Sequence, residues 1–169
     1  MILNVSYRKL SLGKFTVGEH KGYIHYIGLP GKNNILKLVQ FAKKWDFIIS
    51  IKREINAYNK KTLNEIDEYL YDKRKNFTVK YKMLGTTFQK KVWEETLKIK
   101  YGETLSYGEV SDKIGIYKGA RAIGNALSVN PLPILIPCHR VIGKKGKLIG
   151  FGGGIDMKQL LLNIEKERN

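Results

Sequence analysis

The 169-residue chain is short of most things a metal or disulfide protein needs: it has one cysteine, Cys138, and three histidines, His20, His25 and His139. A single cysteine cannot close an intramolecular disulfide or build a cysteine-based zinc site. Any chemistry at Cys138 therefore runs on a lone thiolate, and no metal or other cofactor is expected. Acidic residues are also scarce, 15 Asp+Glu against 31 Lys+Arg, which gives a formal net charge of +16 and a pI near 9.8. No window approaches the roughly 20 apolar residues that cross a bilayer. The first ten residues mix Asn4, Arg8 and Lys9 into the apolar ones, unlike a secretory leader. A soluble, cytoplasmic protein without a membrane partner is expected.

What is present is ordinary globular composition, 43% hydrophobic and 27% charged, with basic residues spread over the whole length. A folded domain this basic attracts polyanions, because neutralising phosphates supplies most sequence-independent nucleic-acid affinity. The alternative is a lysine-rich surface that merely keeps the protein hydrated.

Residues 1–80 read as an α/β domain with a small antiparallel sheet and helices. Val5–Tyr7, Lys14–Val17 and Tyr23–Ile27 carry β-branched and aromatic side chains, with His20-Lys21-Gly22 as a hairpin turn. Ile35, Leu38, Val39 and Ala42 share one helical face within Asn33–Lys44. A second helix is expected over Thr62–Lys73, opened by the capping-box spacing of Thr62 and Glu65. The domain boundary is placed near Val79–Leu84.

Residues 81–169 read as a mainly α domain. Thr86/Gln89 and Ser106/Glu109 have capping-box spacing before two helices, and a further helix is expected over Lys118–Val129. Two short helices joined across Gly115 outline a helix-turn-helix. Pro131 and Pro133 then stop the helix, and the apolar run Ile134-Leu135-Ile136 leads into Pro137-Cys138-His139-Arg140. A glycine-rich loop, Gly143–Gly154, surrounds Phe151, and Asp156 with Gln159 gives a third cap-like pair before a final amphipathic helix. No internal repeat or low-complexity tract is visible.

A cysteine is a useful nucleophile only as its thiolate, which a neighbouring base or positive charge stabilises. Taken alone, a buried cysteine in an apolar run is most often inert packing. The stretch from Asn130 through Pro137-Cys138-His139-Arg140 to Ile142 resembles the active-site signature of the O6-alkylguanine-DNA alkyltransferases. The resemblance spans about residues 86–165, including Thr87-Phe88-Gln89, Val92-Trp93, Ser106-Tyr107, Ala120-Arg121-Ala122-Ile123-Gly124 and the glycine-rich loop.

The resemblance implies DNA repair by direct reversal: irreversible, stoichiometric transfer of an alkyl group from O6-alkylguanine in double-stranded DNA to Cys138. His139 is implied as the base acting through water, and Glu165 as the carboxylate that orients it, in a cysteine version of triad logic. Tyr107 would help rotate the nucleotide and donate a proton to the leaving base. Arg121 would fill the gap left by the extruded base, since a thiolate cannot reach an atom inside stacked duplex. Ala120 and Gly124 would let the helix approach the minor groove closely. Asn130 would tie the active-site tract together, while Pro133 and Phe151 would wall the guanine pocket. Many relatives have tyrosine at position 151, so Phe151 lacks its hydroxyl. Relatives with zinc in the N-terminal domain use cysteines absent here, and the non-catalytic alkyltransferase-like proteins lack the nucleophile that Cys138 provides. The protein is expected to act as a monomer. Two other readings are a lesion sensor or helix-turn-helix regulator without chemistry, and a cysteine hydrolase using Cys138 and His139; only the first accounts for the charge.

Overall fold

The computed structural model describes residues 1–166 and divides into two compact units, Met1–Leu84 and Gly85 onward. In the first unit, strands β1 (Ile2–Leu10), β2 (Gly13–His20) and β3 (Tyr23–Gly28) form an antiparallel meander. Lys21 (φ 49°) and Gly22 (φ 80°) turn the second hairpin with the two positive φ angles that match strand twist. Helix α1 (Asn34–Lys44) then crosses over to β4 (Ile48–Ile51), which pairs in parallel with β1 and completes the order β3-β2-β1-β4. This parallel strand is absent from the sequence expectation, because four residues with little burial carry almost no alternation.

Period-two alternation on β1 explains why both sheet faces are covered. Leu3 and Val5 point to a core with Leu38, Phe41 and Ala42 of α1. Asn4 and Ser6 point the other way, to helix α2 (Ala57–Leu70), whose Asn59 donates to the Asn4 carbonyl at 2.9 Å and to Ser6 Oγ at 3.0 Å. Helix α2 begins a turn and more before the expected Thr62. Asn56 is its N-cap, accepting from the Asn59 amide at 2.8 Å. Thr62 instead donates back to the Tyr58 carbonyl, and Glu65 accepts from the Thr78 amide, so the apparent capping box lies inside the helix.

The second unit consists largely of helices. Both remaining capping boxes form: Thr86 and Gln89 open α3 (Thr87–Leu97), and Ser106 and Glu109 open α4 (Tyr107–Lys113). Helix α5 (Ala120–Ser128) starts later than expected. Lys118 is left-handed at φ 52°, and Gly119 is the N-cap, its amide held by Ser111 Oγ at 3.0 Å. Helices α4 and α5 pack together as the helix-turn-helix. Trp93, 1% exposed, joins α3 to α5 by donating from Nε1 to the Ala126 carbonyl at 3.0 Å. The two-residue strands β5 (Leu105–Ser106) and β6 (Val141–Ile142) pair in parallel and bring the residues after Cys138 beside the start of α4. The final helix, α6 (Ile155–Lys166), begins at Ile155, so Asp156 lies in its first turn and does not cap it. Among the described residues, no helix is long and apolar enough to cross a membrane.

Candidate active site

The tract from Pro131 to Arg140 is buried throughout, and its backbone is bent by the residues that compose it. Ile134 has φ 74°, a conformation a β-branched residue adopts only when its surroundings force it, at a cost of order 1–3 kcal/mol. Here the Ile136 amide donates to the Leu132 carbonyl at 2.8 Å, and Pro133 bridges to Ile136. Pro137 (φ −79°, ψ 60°) has inverse γ-turn geometry, which its ring favours, and the Cys138 amide closes that turn on the Ile136 carbonyl at 2.7 Å. Two consecutive bends thus place Cys138 at the start of a single 3-10 turn, Cys138–Arg140.

Asn130 fixes that bend. Its Oδ1 accepts from the Leu132 amide at 3.0 Å, while its Nδ2 donates to the Ile136 carbonyl at 3.1 Å and to Cys138 Sγ at 3.2 Å. One side chain therefore joins the end of α5 to the cysteine and gives the sulfur a donor that favours its anionic form. Cys138 is only 6% exposed, and burial pushes its thiol pKa up. The Asn130 hydrogen bond and the positive charge of Lys158 act in the opposite direction.

His139, fully buried, lies against Glu165 of α6, Nε2 to Oε1 at 2.8 Å. A carboxylate can only accept, so Nε2 carries the proton and Nδ1 is the basic nitrogen. Burial lowers the His139 pKa, with Glu165 pulling it back up. Glu165 also takes a two-pronged contact from Arg140, Nε to Oε2 and Nη2 to Oε1, both 2.9 Å, and the Gly102 amide at 3.1 Å. Burial alone would raise the Glu165 pKa; its His139 and Arg140 hydrogen bonds hold it down at about 2. Arg140 completes its own bonding on the Ile99 carbonyl at 2.6 Å. The basic residue next to His139 in sequence therefore serves the carboxylate and not the sulfur.

Tyr107, the first residue of α4, donates to the Ile149 carbonyl of the glycine-rich loop at 2.7 Å. Burial, then the sulfur of Cys138, raises its pKa. Phe151 of that loop meets His139 edge-on at 6.5 Å between ring centroids. Pro133 is buried within the bent tract. On α5 the buried face is Ile123, Ala126 and Leu127; Ala120 and Arg121 are exposed, and Gly124 lies beside the Tyr107 ring. A Cβ on Gly124 would touch that ring at ordinary van der Waals distance, so the small residue there leaves open surface and relieves no clash.

Sequence reasoning missed Lys158. It is 0% exposed, on the face of α6 shared by Leu161, Leu162 and Glu165, and burial lowers its pKa to about 8. The signal was present: a lysine three residues before Leu161 and seven before Glu165 falls on the helix's buried stripe.

The profile of the 6-O-methylguanine DNA methyltransferase DNA-binding domain matches residues 87–167. A methylated-DNA–protein-cysteine methyltransferase of Methanosarcina acetivorans is 40% identical over 139 residues, 81% of this chain and 89% of that protein. The enzyme of the same name from Mycobacterium tuberculosis is 48% identical over 106 residues, a match spanning 63% of this chain and 64% of that protein, a little under two thirds of its length. The crystal structure of Mycobacterium tuberculosis OGT in complex with DNA superposes with a TM-score of 0.79 at 32% identity, covering 99% of this chain and 94% of that one. The O6-methylguanine-DNA methyltransferase of Pyrococcus kodakaraensis superposes at 0.73 and 25% identity, covering 96% and 98%. On sequence and on fold alike, the chain belongs to the methylated-DNA–protein-cysteine methyltransferase family.

Proposed function

We propose that the protein repairs O6-alkylguanine in double-stranded DNA by moving the alkyl group irreversibly to Cys138, once per molecule. The observation that carries this is the pairing of a thiol held by Asn130 with an adjacent, buried His139–Glu165 couple. His139, through a water at Nδ1, takes the thiol proton, and Glu165 stabilises the imidazolium that forms. The sulfur attacks the alkyl carbon in line; the S–C bond forms as the C–O6 bond breaks, and the electron pair leaves with guanine. Tyr107 gives up its hydrogen bond to Ile149 and donates a proton to the departing base. The thioether has no route back to a thiol, so turnover stops there.

Reaching the base requires extrusion of the nucleotide. Arg121 at the exposed start of α5 supports a role in filling the gap, with Ala120 and Gly124 giving the helix a low profile in the minor groove. Pro133 and Phe151 would bound the guanine pocket. The net charge of +16 suits sequence-independent search along DNA by a monomer in the cytoplasm.

The test is intact-protein mass after incubation with duplex containing O6-methylguanine, beside Cys138→Ser. One persistent methyl adduct on the wild type alone is expected. Binding without an adduct would overturn the reading in favour of a lesion sensor.

A further inference from the structure

A cleft of about 270 Å³ is lined entirely by residues of the first unit. It lies where three segments meet: the β2–β3 turn, the first half of α2, and residues 78–80. The last segment is tied to β3 through its backbone. The Ile24 amide donates to the Lys80 carbonyl at 2.9 Å, and the Lys82 amide to the Ile24 carbonyl at 3.0 Å. Each segment contributes one lysine to the lining, Lys21, Lys61 and Lys80, all three exposed. Among the described residues that line the cleft, none is acidic.

Two carboxylates touch lining residues, and both are already engaged. Glu65 accepts from the Thr78 amide at 2.8 Å and stands 3.8 Å from both Lys61 and Arg74. Glu19 accepts from the Gly22 amide and from the side chains of Asn4 and Asn56. Lys61 thus shares its carboxylate with Arg74, and the cleft as a whole keeps an excess of positive charge. Aromatic rings are interleaved with these cations. Tyr58, 54% exposed, packs on the turn so closely that a Cβ at Gly22 would stand 3.3 Å from its phenol carbon. Tyr23 has Lys82 over its ring at 4.2 Å. Lysines alone would take any anion. An exposed ring held beside them suits a base stacked on tyrosine with its phosphate on the ammonium groups.

We propose that this cleft binds a nucleoside phosphate, with the base against Tyr58 and the phosphate on Lys21, Lys61 and Lys80. A free mononucleotide and one residue of an unpaired strand present the same chemistry, and the test separates them. The site requires nothing of Cys138 and stands independently of the transfer reading.

The experiment follows amide chemical shifts of the isotope-labelled full chain at low salt. The probes are thymidine monophosphate, a tetrathymidylate strand and inorganic phosphate. Saturable shifts are expected at residues 21–24, 58–62 and 78–80, with the mononucleotide binding roughly fivefold or more tighter than phosphate. Tyr58→Ala should weaken the mononucleotide by roughly fivefold or more and leave inorganic phosphate within about twofold. Lys61→Gln with Lys80→Gln should weaken every probe. For the strand, each lysine removed should flatten the dependence of log affinity on log salt by about 0.7. A strand that binds tighter than the mononucleotide marks an unpaired strand as the occupant, and equal affinities mark the free nucleotide. Absence of saturable shifts at the cleft, or shifts there that survive the lysine changes, overturns the proposal. So does phosphate binding as tightly as the mononucleotide with Tyr58→Ala without effect, which makes the cleft an unselective anion site. If the double variant does not fold, Lys80→Gln alone decides, since Lys80 is exposed on a segment held through its backbone. Absence of a methyl adduct on wild type refutes alkyl transfer and leaves these titrations standing.

Discussion

Replacing Glu165 by glutamine should be the most informative single change in the second unit, because it keeps shape and removes one charge. The carboxylate accepts from His139, from both Nε and Nη2 of Arg140 and from the Gly102 amide. Its pKa falls from 4.5 to about 2. That shift of about 2.5 units corresponds to roughly 3 kcal/mol favouring the folded state. Because the folded pKa is the depressed one, the contribution is complete above pH 4.5 and is lost as the pH falls toward 2. At neutral pH, Glu165→Gln leaves the Arg140 guanidinium buried without its counter-charge, and truncating one partner of such a pair costs about 3–5 kcal/mol. The assay is urea unfolding followed by Trp93 fluorescence in a Trp45→Phe background, so that the signal reports the second unit alone. Expected outcomes are a loss of about 3 kcal/mol at pH 7 and a flatter acid limb than wild type. Adding Arg140→Met to Glu165→Gln should cost less than the sum of the two single changes, since the orphaned charge goes too. Transfer should slow on the order of a hundredfold as His139 loses its orienting acceptor. A Glu165→Gln variant within about 1 kcal/mol of wild type, with the same acid limb, would refute the reading of Glu165 as the hub of the buried network.

Other consequences are checked more simply. Arg121→Ala should leave the melting temperature unchanged, because the side chain is exposed, yet slow repair of duplex far more than transfer from free O6-benzylguanine; equal slowing of both would remove Arg121 from the extrusion step. Gly119→Ala should destabilise the helix-turn-helix by about 1–3 kcal/mol in urea unfolding, since its Cβ would stand 2.5 Å from Ile116 Cγ2 and 2.6 Å from Ser111 Oγ. Lys158, whose folded pKa is lowered from 10.5 to about 8, penalises folding below pH 8, and that penalty fades as the pH rises toward 10.5. The stability of wild type relative to Lys158→Met should accordingly improve by up to about 3 kcal/mol over that range, measured by urea unfolding at each pH.

The parts legible in the sequence were those written in local chemistry. Capping boxes at Thr86 and Ser106 marked two helix starts, because an N-cap satisfies backbone donors within a few residues of itself. The same pattern misled at Thr62, where the side chain bonds back within the helix and the true cap is Asn56. The spacing of Thr62 and Glu65 is equally available inside a helix, so it marks a start only where the first residue of the pair is itself extended, as Thr86 and Ser106 are. Strand β4 escaped because pairing with β1, and not its own alternation, makes it a strand.

The site divides along the same line. Cys138, His139 and Asn130 lie within ten residues, and their contacts follow from one bent tract. Glu165 and Lys158 come from α6 and acquire their meaning only when that helix packs on the tract. Helical period alone puts both on the buried face, one as a carboxylate and one as an ammonium, yet period does not say which partner each meets. The fold separates them: Glu165 is paired with Arg140 and accepts from His139, whereas Lys158 is surrounded by carbonyl oxygens. Seven residues apart, the two groups stand two helical turns from each other, roughly 10.5 Å, and so meet different partners. Burial alone would hold Cys138 as its thiol, so a reactive sulfur at this place depends on the groups that these later residues bring beside it.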